Sequence, residues 1–198
     1  MLYRSVYDKA MGNKEEIINV ATRLFASRGY DVVGIQEIVD QAGISKPTLY
    51  HYFGSKNGLL TAIMELNFRR LLLGLGPATV YSGDLPLSLT EIVRVYFKFA
   101  RSFPEFYRLH LAFWFSPPAS AGFLAAKEWW EKQQQLLEIL FMLAANDHGN
   151  MKDRHRIYAA TFLGTINTYI AIFLNGYADL NEEMVHSLVK QFSHGIYS

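Results

Sequence analysis

The sequence predicts an all-α protein, a short helix-turn-helix domain followed by a larger helical bundle. Three observations carry this. Apolar residues recur at helical spacing through most of the chain. No segment sustains the period-two alternation of a half-buried strand. The composition, 51% hydrophobic with 19% charged over 198 residues, is ample for a core and excludes a disordered chain. The absence of cysteine rules out a disulfide framework, a thiolate metal site and a Cys nucleophile.

The elements follow in order. Ile17, Ala21, Leu24, Phe25 and Arg28 fall on one helical face, with Asn13 as the expected N-cap and Gly29 as the stop. Ile35, Ile38, Val39 and Ala42 make a second, short helix ended by Gly43. A third runs from Ser45 to about Phe53. Ser55 caps a longer one carrying Leu59, Leu60, Ile63, Met64 and Leu71 to about Leu73. The Gly- and Pro-rich stretch from Gly74 to Pro86 reads as a loop. Five further helices are expected at about 87–102, 104–115, 119–145, 152–175 and 181–197. Asp179 with Glu182 three residues on resembles a capping box ahead of the last of them.

Two short amphipathic helices joined by Ala42-Gly43-Ile44-Ser45 have the spacing of a helix-turn-helix, whose second helix can enter a major groove. Gly43 can take the left-handed conformation that the turn requires. On the second helix Leu49 and Phe53 define the buried face. Pro47, Thr48 and His51 then point outward, flanked by Tyr50 and Tyr52. Hydroxyl and imidazole groups can read base edges, and phenol OH groups can reach phosphates. Lys46 and Lys56 add charge beside helix N-termini. An ordinary helical hairpin would share the wheel. Net charge does not decide the matter: residues 1–60 hold seven Lys and Arg against six Asp and Glu.

The string Gly29-Tyr30, Ile38-Val39, Ala42-Gly43-Ile44-Ser45-Lys46, Thr48-Leu49-Tyr50, Phe53, Ser55-Lys56 and Leu59-Leu60 resembles the DNA-binding domain of the TetR family of bacterial transcriptional regulators. The match spans about residues 14–62; beyond it only length and helical pattern agree. The resemblance implies a cytoplasmic homodimer that binds a near-palindromic operator and represses until a small molecule binds. Carried over by position, Ser45, Lys46, Pro47, Thr48, Tyr50, His51, Tyr52 and Lys56 are the expected DNA contacts. The chain departs from the family pattern at Gly34, where a capping Thr or Ser is frequent, at Pro47 and at Asn57. The expected domains are an N-terminal arm over 1–12, a DNA-binding domain over 13–58, and a ligand-binding and dimerisation domain over 59–198. Met11 marks where a typical member would begin.

Aromatic rings crowd residues 96–173. Most are core by default, yet a bundle so lined also suits a mostly apolar ligand with one or two polar handles. Phe97, Phe106, His110, Trp114, Trp129, Tyr158, Phe162 and Asn167 are the candidate pocket residues. The apolar stripe of the last helix, including Met184, Leu188 and Phe192, is the expected dimer surface together with the helix at 152–175. Residues 157–178 are uncharged and long enough to cross a bilayer. Thr161, Thr165, Asn167 and Thr168 in their middle favour a helix buried by protein, and no membrane partner is expected. No catalytic motif occurs, His148 and His155 do not make a persuasive metal pair, and no cofactor is expected. The rival reading is a helical small-molecule carrier or enzyme retaining a relic helix-turn-helix.

Overall fold

The computed structural model describes the backbone of residues 2–194 and the side chains of residues 14–149 and 151–194. Among these residues the regular structure is helical: α1 Leu2–Arg28, α2 Ile35–Ala42, α3 Lys46–Phe53, α4 Lys56–Ala78, α5 Leu85–Ser102, α6 Pro104–Trp114, α7 Ala121–Ala144, α8 His155–Leu174 and α9 Glu182–His194. A 3₁₀ turn at Gly149–Met151 precedes α8. The chain divides into two compact units, Met1–Asn67 with Glu105–Ala126, and Phe68–Pro104 with Lys127–Ser198. The division falls inside α4 and inside α7, rather than at the 58/59 boundary expected from the sequence, and it places nearly all of α6 in the first unit.

Several boundaries move from their expected places for identifiable reasons. Asn13 does not cap α1, because the helix is continuous from Leu2 and Asn13 lies in its interior; the side chains of the expected 1–12 arm lie outside the described residues. The helix α4 runs through Gly74, Gly76 and Pro77 to Ala78, so the interhelical loop is only about half as long as expected. Thr79 closes that end, its buried hydroxyl donating to the Leu75 carbonyl at 3.1 Å. Asp84 then caps α5 by accepting from the Leu87 N–H at 2.8 Å, and Pro86 sits in the first turn where no N–H is needed. Asn181, not Asp179, caps α9 through the Met184 N–H at 2.9 Å. Glu182 is committed elsewhere: Arg94 of α5 donates to it at 2.8 Å, and that hydrogen bond draws the carboxyl below its ordinary range. The last three residues of the helix expected over 181–197 lie outside the described residues.

In the first unit, the core between α1, α2 and α3 is built on Ile17, Ala21, Phe25, Ile38, Val39 and Leu49, all essentially inaccessible. Phe106, Tyr107 and His110 of α6 are buried in the same unit. The His110 ring lies 4.4 Å from that of Tyr107 and 5.7 Å from that of Phe106. In the second unit, α5, α8 and α9 pack on one another, α5 burying Ile92, Val93, Tyr96, Phe97 and Ala100. The helix α8 is long and apolar enough to cross a membrane by length and composition. One face of it, Ala159, Phe162, Leu163, Ile166 and Ile170, is nonetheless buried within the unit.

Burial gives His110 a testable signature. Desolvation of the imidazolium pulls its pKa from the ordinary 6.5 down to about 3, so the native state excludes a proton that the unfolded chain accepts. Between those values the unfolded state binds more protons, and stability falls as pH falls. Acidification from pH 7 to pH 5 should remove about 2 kcal/mol, at about 1.4 kcal/mol per pH unit below the unfolded pKa. Urea denaturation of the protein and of His110→Phe at both pH values checks this. The variant should lose that part of the pH dependence, and equal slopes for the two proteins would contradict it.

Candidate nucleic-acid interface

The helix α3 has eight residues, too few to persist alone in water, so its geometry is imposed by its surroundings. Leu49 is fully buried beneath it. At its N-terminus the Ser45 hydroxyl accepts from the Thr48 N–H at 3.3 Å and lies 2.8 Å from the Thr48 hydroxyl. Ahead of it, Gly43 takes the left-handed conformation expected of the turn (φ 63°), and the Ile44 N–H reaches back to the Val39 carbonyl at 3.0 Å. The helix α2 begins at Gly34 without a side-chain cap, as its sequence implies.

At the other end of α3 the chain turns sharply into α4. Gly54 has φ 70°, and its N–H bonds the Tyr50 carbonyl at 2.8 Å. Ser55 caps α4 by accepting from the Gly58 N–H at 2.9 Å. The corner is so tight that a Cβ on Gly58 would lie 1.9 Å from the Phe53 carbonyl oxygen. Gly58 is a structural requirement that reading the sequence missed. Glycine at a helix start carries no periodic signal, and only the proximity of Phe53 exposes the requirement.

The outward face of α3 presents Lys46, Pro47, Tyr50 and His51, all exposed, with Thr48 and Tyr52 half-buried beside them. The His51 and Tyr52 rings meet edge to face at 5.6 Å. Seven of the eight expected contact residues are therefore on or beside one accessible surface, although the Ser45 and Thr48 hydroxyls also serve the cap. Lys56 is different. Its ammonium sits 4.3 Å over the Tyr30 ring and 3.5 Å from the Asp31 carbonyl oxygen, to which it donates. Tyr30 packs in turn on Phe25, edge to face at 5.1 Å. Burial holds the Lys56 pKa below its usual value, against the opposing pull of Asp31. In this position Lys56 ties the start of α4 to the α1–α2 turn.

The expected pocket residues do not gather in one unit. Phe106, His110 and Trp114 belong to the first, and Phe97, Trp129, Tyr158, Phe162 and Asn167 to the second. Trp114 is 48% exposed on the far end of α6. In the second unit Tyr158 and Phe162 join Phe141 and Phe192 in a ring cluster with centroids 4.8–6.1 Å apart. Trp129 stacks on Phe68 at 5.9 Å with the Lys132 ammonium 4.4 Å above it. The expected dimer residues are partly drawn into the unit's own packing. Leu188 is fully buried against the unit's own core, and Phe192 lies 4.8 Å from Phe162. Met184 is half-buried. A stripe spent on the protomer's own packing has little surface left for a partner. The accessible stripe is on α8 instead, through Ile157, Thr161, Gly164, Thr168 and Ile172.

Residues 17–63 match the family model described as bacterial regulatory proteins, tetR family. The chain is 26% identical over 182 residues, 91% of its length and 80% of the relative's, to the HTH-type transcriptional activator FasR of Mycolicibacterium smegmatis. Among solved structures it resembles FadR of Bacillus subtilis in complex with stearoyl-CoA, with TM-score 0.78 and 18% identity over 92% of this chain and 99% of that one. It also resembles AibR in complex with isovaleryl coenzyme A and operator DNA, with TM-score 0.73 and 21% identity over 90% and 97% of the two chains.

The corner makes a direct prediction. Gly58→Ala should destabilise the protein by roughly 1–3 kcal/mol, the usual cost of forcing an atom into packed structure. Gly34→Ala, where a Cβ meets nothing within 4 Å and φ is negative, should change stability far less. Thermal unfolding of the two variants side by side decides it, and equal melting temperatures would show that the corner yields.

Proposed function

We propose, for a chain that belongs to the TetR family of bacterial regulatory proteins, a ligand-responsive DNA-binding regulator that acts in the cytoplasm, releasing its operator when an acyl-CoA thioester binds. The observation that carries the DNA half is the face of α3: Lys46, Pro47, Tyr50 and His51 stand exposed on a helix whose Leu49, on the opposite side, is fully buried and whose Phe53 is half-buried. Solvent alone would favour Lys and Glu there. Imidazole and hydroxyl groups can instead read base edges, while Lys46 and the exposed start of α3 meet phosphate. The ligand class is supported by the two acyl-CoA complexes of similar fold and by the aromatic core of the second unit. The relative matched over most of the chain is named an activator, so release from DNA is tested separately from its effect on transcription.

The two halves are joined by α4, a single helix that supplies Lys56–Asn67 to one unit and Phe68–Ala78 to the other. In a dimer the two recognition helices must match half-sites about 34–36 Å apart. A ligand that prefers a different setting of residues 68–78 draws α4 and the Gly58 corner away from that spacing. The coupling is bounded by the ligand's differential affinity for the two states, typically about 1–3 kcal/mol, and operator must weaken ligand binding by the same factor.

Operator duplexes selected from a random library, followed by fluorescence anisotropy with and without stearoyl-CoA, test this reading. Specific binding that stearoyl-CoA weakens supports it; no selection of a near-palindromic site rules it out. In the same assay Lys46→Ala should flatten the salt dependence by about one counterion per half-site. Lys56→Met should leave the slope intact and lower affinity through the fold. His51→Ala should cost roughly 1–3 kcal/mol at particular base pairs only.

Dimerisation is assigned to the outer stripe of α8. Gly164 there has nothing within 4 Å of a built Cβ, and replacing a mid-helix glycine favours the helix by up to about 1 kcal/mol. Gly164→Arg should therefore fold normally and halve the mass measured by light scattering, by placing a charge between two copies. An unchanged dimer mass would move the interface elsewhere.

A further inference from the structure

The second unit holds a buried polar pair that neither the DNA interface nor the helix caps account for. Tyr96 of α5 is completely inaccessible, and its hydroxyl donates to the Gln133 Oε1 of α7 at 2.9 Å. Gln133 is 2% exposed. Its amide nitrogen donates to the Trp129 carbonyl at 3.3 Å, one turn back along its own helix. That contact is long, and it falls on a carbonyl placed to accept a helical backbone bond. A glutamine amide carries two N–H donors, and no acceptor for the second is found among the described residues. The phenol oxygen likewise retains acceptor capacity after donating to Gln133.

Such a pair is costly in this setting. Along α5 it is flanked by Ile92, Val93, Phe97 and Ala100, all buried, and along α7 by buried Leu137. A phenol and an amide taken out of water among hydrocarbon lose free energy unless fully hydrogen-bonded, whereas apolar side chains of similar volume would hold α5 to α7 without that cost. A half-satisfied amide in an aromatic interior is therefore suited to a ligand that completes it.

We propose that Tyr96 and Gln133 form the polar contact through which the second unit recognises the carbonyl oxygen of an acyl thioester, an inference that rests on the acyl-CoA reading above. An acyl thioester presents a long apolar chain interrupted by one neutral acceptor, and the spare Gln133 N–H is one neutral donor among rings. Burial keeps the Tyr96 hydroxyl protonated, since desolvation pushes its ionisation far above the ordinary range, so it continues to hold the Gln133 oxygen and to present the amide nitrogen to the ligand. The pair carries no positive charge. A free fatty acid, whose carboxylate would be stripped of water without a counter-charge at this point, is disfavoured relative to the thioester.

The test removes the carbonyl from the ligand and the donor from the protein in turn. Binding of stearoyl-CoA and of its thioether, S-octadecyl-CoA, is measured by calorimetry on the full-length wild type, on Gln133→Met and on Tyr96→Phe. The wild type should favour the thioester about tenfold, the order expected of one buried hydrogen bond. Gln133→Met should bind both at the thioether's affinity. Tyr96→Phe, which frees the Gln133 side chain to turn, should reduce the preference without abolishing it. Equal binding of the two ligands to the wild type overturns the inference and leaves the acyl-CoA reading standing, as does a preference that survives in Gln133→Met. Failure of both ligands to bind overturns the two together. The wild-type comparison remains decisive if a variant does not fold.

Discussion

The DNA-binding half of this protein depends on holding an eight-residue helix in place that could not hold itself. Isolated helices of that length are marginal, so α3 exists because Leu49 is buried beneath it, Ser45 caps one end, and the Gly54–Gly58 corner fixes the other. The corner is the least forgiving of these. Hydrophobic burial is tolerant of small displacements and a cap contributes about 1 kcal/mol. A backbone oxygen 1.9 Å from the place of a missing Cβ cannot give way without moving the helix that carries it. The tight passage from α3 into α4 thus depends on a residue with no side chain.

Lys56 shows how one side chain serves this constraint from a second direction. Its ammonium rests on Tyr30 and the Asp31 carbonyl, and Tyr30 rests on Phe25. The start of α4 is thereby tied to the turn between α1 and α2, on the side of the domain opposite the corner in sequence.

In the second unit the same residue types divide between two roles by burial alone. Phe141, Tyr158, Phe162 and Phe192 fill space against one another, and Leu188 closes the core beneath α9. Arg94 and Glu182 tie α5 to α9 at the surface, where screening leaves such a pair a modest effect on stability. Tyr96 and Gln133 stand apart because they are polar, buried and incompletely satisfied. The outward stripe of α8, with its Thr and Gly residues, is the face left over once the aromatic side has been spent on the core.

The sequence by itself determined the helical class, the helix-turn-helix with its left-handed Gly43, the Ser55 cap, and the exposed face of α3. These are local properties: periodicity, cap chemistry and a conformational preference act within one or two turns, and a linear string records them. It did not determine that α4 would continue through Gly74 and Pro77, because tertiary packing outweighs a propensity cost of about 1 kcal/mol per glycine. Nor did it reveal the Gly58–Phe53 approach, the inward turn of Lys56, or which side of α9 would be buried. Leu188 and Phe192 lie on an apolar stripe that fits a partner subunit or the protomer's own core equally well on a helical wheel. Only the arrangement of α5 and α8 beside it decided for the core, since a stripe has a direction in space that its spacing alone does not contain.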